Sequence, residues 1–277
     1  MTEPSKGAYG LRVGLPIAED DLVDAPAGWP RWHLCWRETP RDRRRPQQLG
    51  PDEALFDLQP VGQMLVNRRT STSTLLLPGA PPAEAWSHPY LSATAIHAAW
   101  WSGHRSFHAG AFLAGGGAWG ILGDKEQGKS SAVAWLAARE YPVLCDDLLV
   151  IAGGRALAGP RCLDLRQSAS AHYGLGTYIG QVGARERWRV RLPPVPAEVP
   201  FRGWVALSWA DDVSVASVRL EDRLGRMLAH RGLRIPETED RGLLDLITRP
   251  MVELRRPKSW SALDRAMTHL LDALSSV

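Results

Sequence analysis

Gly123-Asp124-Lys125-Glu126-Gln127-Gly128-Lys129-Ser130 satisfies every fixed position of G-x-x-x-x-G-K-[ST], the Walker A pattern. The pattern constrains the fold because it works only between a buried strand and a helix. The strand delivers the loop, and the helix N-terminus turns backbone N–H groups toward an anion. Both flanks are present. Residues 118–122 form an apolar run, while Ala132, Val133, Trp135, Leu136 and Ala137 recur with the spacing of a helix with one apolar face. The residue types suit nucleotide phosphate: glycine lets the chain come close, Lys129 supplies a point charge, and Ser130 supplies a hydroxyl for a divalent cation. Gly123, Asp124, Lys125, Glu126, Gln127, Gly128, Lys129, Ser130 and Ser131 are therefore the candidate cofactor-binding residues. Lys125 is expected to add a phosphate contact and Glu126 to face solvent.

The rest of the composition narrows the class of protein. The chain has 277 residues, 44% of them hydrophobic and 23% charged, as expected of a soluble globular protein. No apolar run approaches the ~20 residues of a membrane span. The first residues lack an apolar segment behind a basic start, which predicts a cytoplasmic rather than secreted protein with no membrane partner. Cys35, Cys145 and Cys162 are odd in number and far apart, so reduced thiols are expected rather than a disulfide or zinc framework. A net charge of +3 is too small to imply nucleic acid. The run Arg41-Asp42-Arg43-Arg44-Arg45 between Pro40 and Pro46 reads as a solvated connection. The twelve tryptophans lie among apolar neighbours and read as packing.

The fold expected is α/β in two modules. Short candidate strands near residues 9–14, 32–37, 55–58, 64–68 and 74–77, separated by Pro and Gly turns, make residues 1–85 a smaller β-rich module. Pro78-Gly79-Ala80-Pro81-Pro82 is the natural linker. Residues 86–277 form the larger domain, opening with a helix over 89–104 that packs one module on the next. His97 and His104 would share a face of that helix, with no carboxylates patterned beside them for a metal.

Beyond the loop helix lies Pro142-Val143-Leu144-Cys145-Asp146-Asp147-Leu148-Leu149-Val150-Ile151, two apolar strands separated by adjacent carboxylates. Acids at the end of a buried strand need a cation or donor to offset several kcal/mol of desolvation. Sixteen residues separate Lys129 from Asp146, so loop, helix and acids follow directly. The doubling suggests one aspartate for Mg²⁺ and one to accept a proton from an attacking hydroxyl, with either residue able to take either part.

In this order the motifs resemble the HPr kinase/phosphorylase group and its shorter HPr-kinase-related relatives. The likeness runs from about Pro89 to the C-terminus. It rests on Phe107-His108-Ala109, the loop 123–131, Leu144-Cys145-Asp146-Asp147, Arg161-Cys162-Leu163-Asp164-Leu165-Arg166 and Met251-Val252-Glu253-Leu254-Arg255. The resemblance implies a phosphoenolpyruvate-carboxykinase-like P-loop nucleotide-binding fold and ATP-dependent phosphoryl transfer to a serine hydroxyl. Lys129 and Ser130 would hold phosphate and Mg²⁺, and Asp146 and Asp147 would supply base and metal ligand. His108 would stand near the phosphates, and Asp164 with Arg166 would match the family's Glu-x-Arg segment, Asp164 as a metal ligand. Lys125 and Glu126 depart from the family's Ser and Gly. Gln167-Ser168-Ala169-Ser170 does not reproduce the phosphorylase signature, so kinase chemistry without the reverse reaction is expected. The first 85 residues do not resemble the family's regulatory domain, which points away from HPr as substrate. The expected acceptor is a hydroxyl of a peptide, small protein or metabolite, and a homo-oligomer stays open. The alternatives are a nucleotide-binding regulatory module and a simple ATPase.

Overall fold

Residues 72–77 alternate half-buried and buried side chains, the period of a strand with one face on a core. In the computed structural model, residues 5–14, 16–40, 45–58, 62–183, 185–233 and 241–275 are described. The chain is mixed α/β and divides into two units, Met1–Gly103 with Pro160–Ala197 and His104–Gly159 with Glu198–Val277. The first four residues of the arginine run, 41–44, lie outside the described residues. Among the described residues no helix is long and apolar enough to cross a membrane.

In the first unit, Thr72–Leu77 lies between His33–Glu38, to which it is parallel, and Gly62–Asn67, to which it is antiparallel. Glu53–Leu58 and Gln48–Leu49 complete this sheet. The helix Leu91–Trp101 packs on it. Thr94 donates to the fully buried Ser73 hydroxyl at 2.9 Å, as does the Trp32 indole. His97 stacks on Phe56 with ring centroids 4.4 Å apart, and burial lowers its pKa. The helix ends at Trp101, so His104 lies beyond it and in the other unit.

A smaller sheet, Cys162–Leu165, Arg185–Arg191 and Thr177–Val182, also belongs to the first unit. Arg189 ties it in. Its guanidinium grips both Asp164 oxygens at 2.8 and 2.9 Å, donates to Ser87 at 2.9 Å and stands 3.6 Å from Asp21. Cys162, buried beside this cluster, has its thiol pushed up to about 12 by desolvation. The expected boundary at 85/86 is thus replaced by one at 103/104, with 160–197 returned to the first unit. The helix is held by Ser73 and Phe56 and the insertion by Arg189, contacts between residues distant in sequence.

The second unit is built on one nine-stranded sheet of described residues. Three strands run parallel: Gly117–Leu122, then the long strand Glu198–Trp209, then Met251–Arg256. Gly110–Ala114 is antiparallel to Gly117–Leu122, and Val143–Cys145 is antiparallel to Gly110–Ala114. Val143–Cys145 therefore runs the same way as Gly117–Leu122, and the two end at the same edge. A methyl at Gly120 would lie 2.8 Å from the ring of Trp204, its cross-strand partner, and 2.8 Å from the side chain of Leu149, three strands further along the sheet. Helix Trp260–Leu274 starts at Ser259, whose hydroxyl caps Ala262 N–H, and buries Leu263, Ala266, Met267 and Leu270.

Glu253 in Met251–Arg256 accepts from Arg226 at 2.9 Å and from Arg255 at 2.7 and 2.8 Å. Burial works to raise its pKa, but the two guanidiniums outweigh burial and hold the carboxyl below its ordinary value. A depressed folded pKa gives stability that is present above the unfolded value and is lost as pH falls through the folded one. Glu253→Gln is therefore expected to flatten the fall of melting temperature between about pH 5 and pH 3. An acid limb as steep as that of the native chain would show that Glu253 contributes nothing to it.

Candidate functional site

Strand Gly117–Leu122 ends at the glycine loop, and helix Lys129–Ala138 follows at once. The loop closes on itself. Asp124 N–H donates to the Gln127 side-chain oxygen at 2.7 Å, and Gln127 N–H donates to the Asp124 carbonyl at 3.1 Å. Gly128 has φ +86°, a left-handed conformation for which glycine has no Cβ penalty. Glu126 is also left-handed at φ +72°, and its side chain is exposed, as expected. The first intrahelical bond is Ala132 N–H to the Gly128 carbonyl at 2.9 Å. The N–H groups of Lys129, Ser130 and Ser131 come before it, so the helix gives them no acceptor. They and the helix dipole make this end suited to an anion.

The acids arrive at the same edge. Asp146 and Asp147 form the bend after Val143–Cys145, with Asp146 only 9% exposed and Asp147 half-exposed. Lys129 reaches across, its ammonium 3.6 Å from Asp147 Oδ1 and 3.2 Å from the His108 carbonyl to which it donates. His108 precedes the strand Gly110–Ala114; its side chain is exposed, and its backbone carbonyl accepts from Lys129. The loop, Lys129, His108, Asp146 and Asp147 are thus brought together by one unit. Asp164 is not among them: it lies in the other unit with both oxygens in the Arg189 fork. Arg166 precedes the helix Gln167–Tyr173 in that unit and is exposed. Among the described residues no three His, Cys, Asp or Glu side chains gather to hold a metal by themselves.

Close backbone approach makes this assembly fit. A methyl on Gly110 would lie 2.7 Å from Val133 of the helix and 2.8 Å from the Asp146 carbonyl. Other residues at the edge carry no sequence signal. His230 accepts the His108 N–H through its carbonyl at 2.7 Å, and its ring nitrogen stands 3.7 Å from Asp124. Arg256 and Trp209, which end adjacent parallel strands, stack with the guanidinium 4.4 Å above the indole. None of the three belongs to a motif, and only their strand-end or helix-end positions could have marked them.

No protein-family model matches the chain, and no curated protein does. A solved structure similar to it is the Hpr(Ser) kinase/phosphatase from Coxiella burnetii. Identity is 11%, coverage is 62% of this chain and 97% of that one, and the TM-score is 0.33, too low to fix the fold.

Two outcomes follow from these contacts. Gly110→Ala should cost about 1–3 kcal/mol in urea unfolding through overpacking, and native stability would mean the helix and the acid bend have room to move apart. Asp164→Ala should cost the first unit about 3–5 kcal/mol by stranding the buried Arg189 charge. An unchanged midpoint would show that Asp164 does not hold that unit together.

Proposed function

We propose that the chain is an ATP- and Mg²⁺-dependent kinase that transfers the γ-phosphoryl group to a serine or similar hydroxyl of a peptide, small protein or metabolite. The observation that carries this reading is the meeting of Lys129 and Asp147 at 3.6 Å beside the mouth of the glycine loop, with Asp146 next to them. A phosphate cradle alone suits binding. A cradle facing two carboxylates suits transfer, because one can hold a metal and the other can take a proton.

The donor set fits magnesium, a hard cation that takes carboxylate and hydroxyl oxygens together with substrate phosphate. Asp146 and Ser130 would hold it, and bound there it would neutralise charge on the β- and γ-phosphates. The loop N–H groups and Lys129 cradle the polyphosphate. Asp147, the more exposed acid, orients the acceptor hydroxyl and accepts its proton. The acceptor oxygen forms a bond to the γ-phosphorus, the bond from that phosphorus to the β–γ bridging oxygen breaks, and ADP leaves with the bridging electron pair. Catalysis on this reading is positioning plus electrostatic stabilisation.

Incubation with γ-labelled ATP, Mg²⁺ and serine-containing peptides tests it. Label in the acceptor is expected; free phosphate alone would indicate an ATPase, and neither would indicate a binding module. Lys129→Ala is expected to weaken ATP binding at least tenfold. Asp147→Asn and Asp146→Asn are expected to leave binding within a few-fold and reduce transfer by about 10²–10⁴-fold. Native turnover in both aspartate variants would remove their roles.

A further inference from the structure

Strand His33–Glu38 ends the five-stranded sheet of the first unit and is paired on one side only, with Thr72–Leu77. His33 N–H donates to the Ser71 carbonyl at 2.8 Å, and Thr39 N–H donates to the Leu77 carbonyl at 2.8 Å. Bonding alternates along a parallel strand, so His33, Cys35, Arg37 and Thr39 turn their backbone groups toward Thr72–Leu77. Leu34, Trp36 and Glu38 turn theirs outward. Trp32 belongs to the same outward set, and its N–H already donates to the Arg12 carbonyl at 2.9 Å. Beyond it, no hydrogen bond among the described residues reaches the backbone of Leu34, Trp36 or Glu38.

Sheet edges are commonly blunted by a bulge, a proline or a covering segment. Here six consecutive pairs run without a shift of register, and the strand contains no proline. Only Leu34 is buried; the other five side chains are exposed, Trp36 at 36%. An open row of N–H and C=O groups selects an extended backbone as its ligand. The side chains narrow the choice further. Trp36 and Glu38 share one face and His33 and Arg37 the other. Arg37 is in register with Leu76 and Glu38 with Leu77, so the sheet supplies neither with a countercharge across the strand. A second copy would not supply one either. In an antiparallel pair, outward-bonding residues face outward-bonding residues. Glu38 would then stand opposite Leu34, Trp36 or Glu38 of the same strand, and Arg37 opposite His33, Cys35 or Arg37.

We propose that the open edge of His33–Glu38 binds an extended segment of another polypeptide by strand addition, with apolar side chains on the Trp36 face alternating with acids on the face of His33 and Arg37. The outward groups of Leu34, Trp36 and Glu38 give the main-chain bonds, and the two faces give the specificity. Every residue involved belongs to the first unit, so the kinase reading is not needed.

Fluorescence polarisation of the full chain with a labelled peptide alternating valine and glutamate tests this. Saturable binding is expected, weakened about three- to tenfold by R37E and recovered in that variant when lysine replaces glutamate in the peptide. E38P removes an outward N–H that the sheet does not use, so it is expected to keep the fold and lose the peptide. Should E38P fail to fold, N-methylation of the peptide decides. Only one alternate set of peptide amides can face the strand, so methylating the valines and methylating the glutamates are expected to have unequal effects. Equal binding of the two methylated peptides, native affinity in a folded E38P variant, or no binding by the native chain would overturn the proposal. Self-association of the native chain that E38P abolishes would assign the edge to a second copy and overturn it as well.

Discussion

Where helix Lys129–Ala138 lies on the start of strand Gly110–Ala114, no side chain fits between them, and the candidate site depends on that contact. Gly110 meets Val133 on one side and the Asp146 carbonyl on the other. The absence of a Cβ thus sets two separations at once, helix to strand and strand to acid bend. Interiors are packed densely enough that a methyl cannot be absorbed by small adjustments. If the helix were lifted, Lys129 would move off the His108 carbonyl and Asp147 together, because all three are referred to the same strand. The geometry of the loop is therefore set by apolar packing beneath it as much as by its own residues.

The electrostatics of the edge follow from that packing. Lys129 faces Asp147 at 3.6 Å. A polyphosphate in the loop competes for the same ammonium with more charge. On the kinase reading, phosphate binding would draw Lys129 from Asp147 and leave that carboxylate facing the acceptor hydroxyl. Arg256 lies over Trp209 on the Gly128 side of the loop.

The sequence made the local part of this legible and the non-local part illegible. The strand, loop and helix around Gly123–Ser130 follow from an apolar run, a glycine pattern and a helical stripe, all within about twenty residues. The acid bend was readable for the same reason. The unit boundary was not, because Arg189 finds Asp164, Ser87 and Asp21 at sequence separations no local pattern reports. Asp164 illustrates the difficulty, since an aspartate alternating with leucines on a strand reads equally as a ligand or as half of a buried ion pair. Helix 167–173 was missed because it is short and mostly small and polar, with only Ala169 and Ser170 buried. His230 and Arg256 reach the edge through strand pairing and helix ends, which belong to topology rather than to motif.

Glu126 shows how the loop holds its shape despite an unfavourable residue. A left-handed conformation at a non-glycine residue costs roughly 1–2 kcal/mol, yet φ is +72° where the resembling family has glycine. The cost is offset from both sides. Asp124 and Gln127 exchange bonds through backbone and side chain, clamping the turn in which Glu126 sits, and Gly128 supplies the next left-handed residue without penalty. With its side chain in solvent, Glu126 intrudes on nothing inside the loop. What the position requires is a backbone angle, and a clamp of two polar neighbours can impose that angle where a missing Cβ would otherwise permit it. The departure from glycine thus changes the energy stored in the loop more than its outline, so the outline alone does not separate a binding loop from a catalytic one. That distinction falls to the acids opposite and to the charge that Lys129 shares with them.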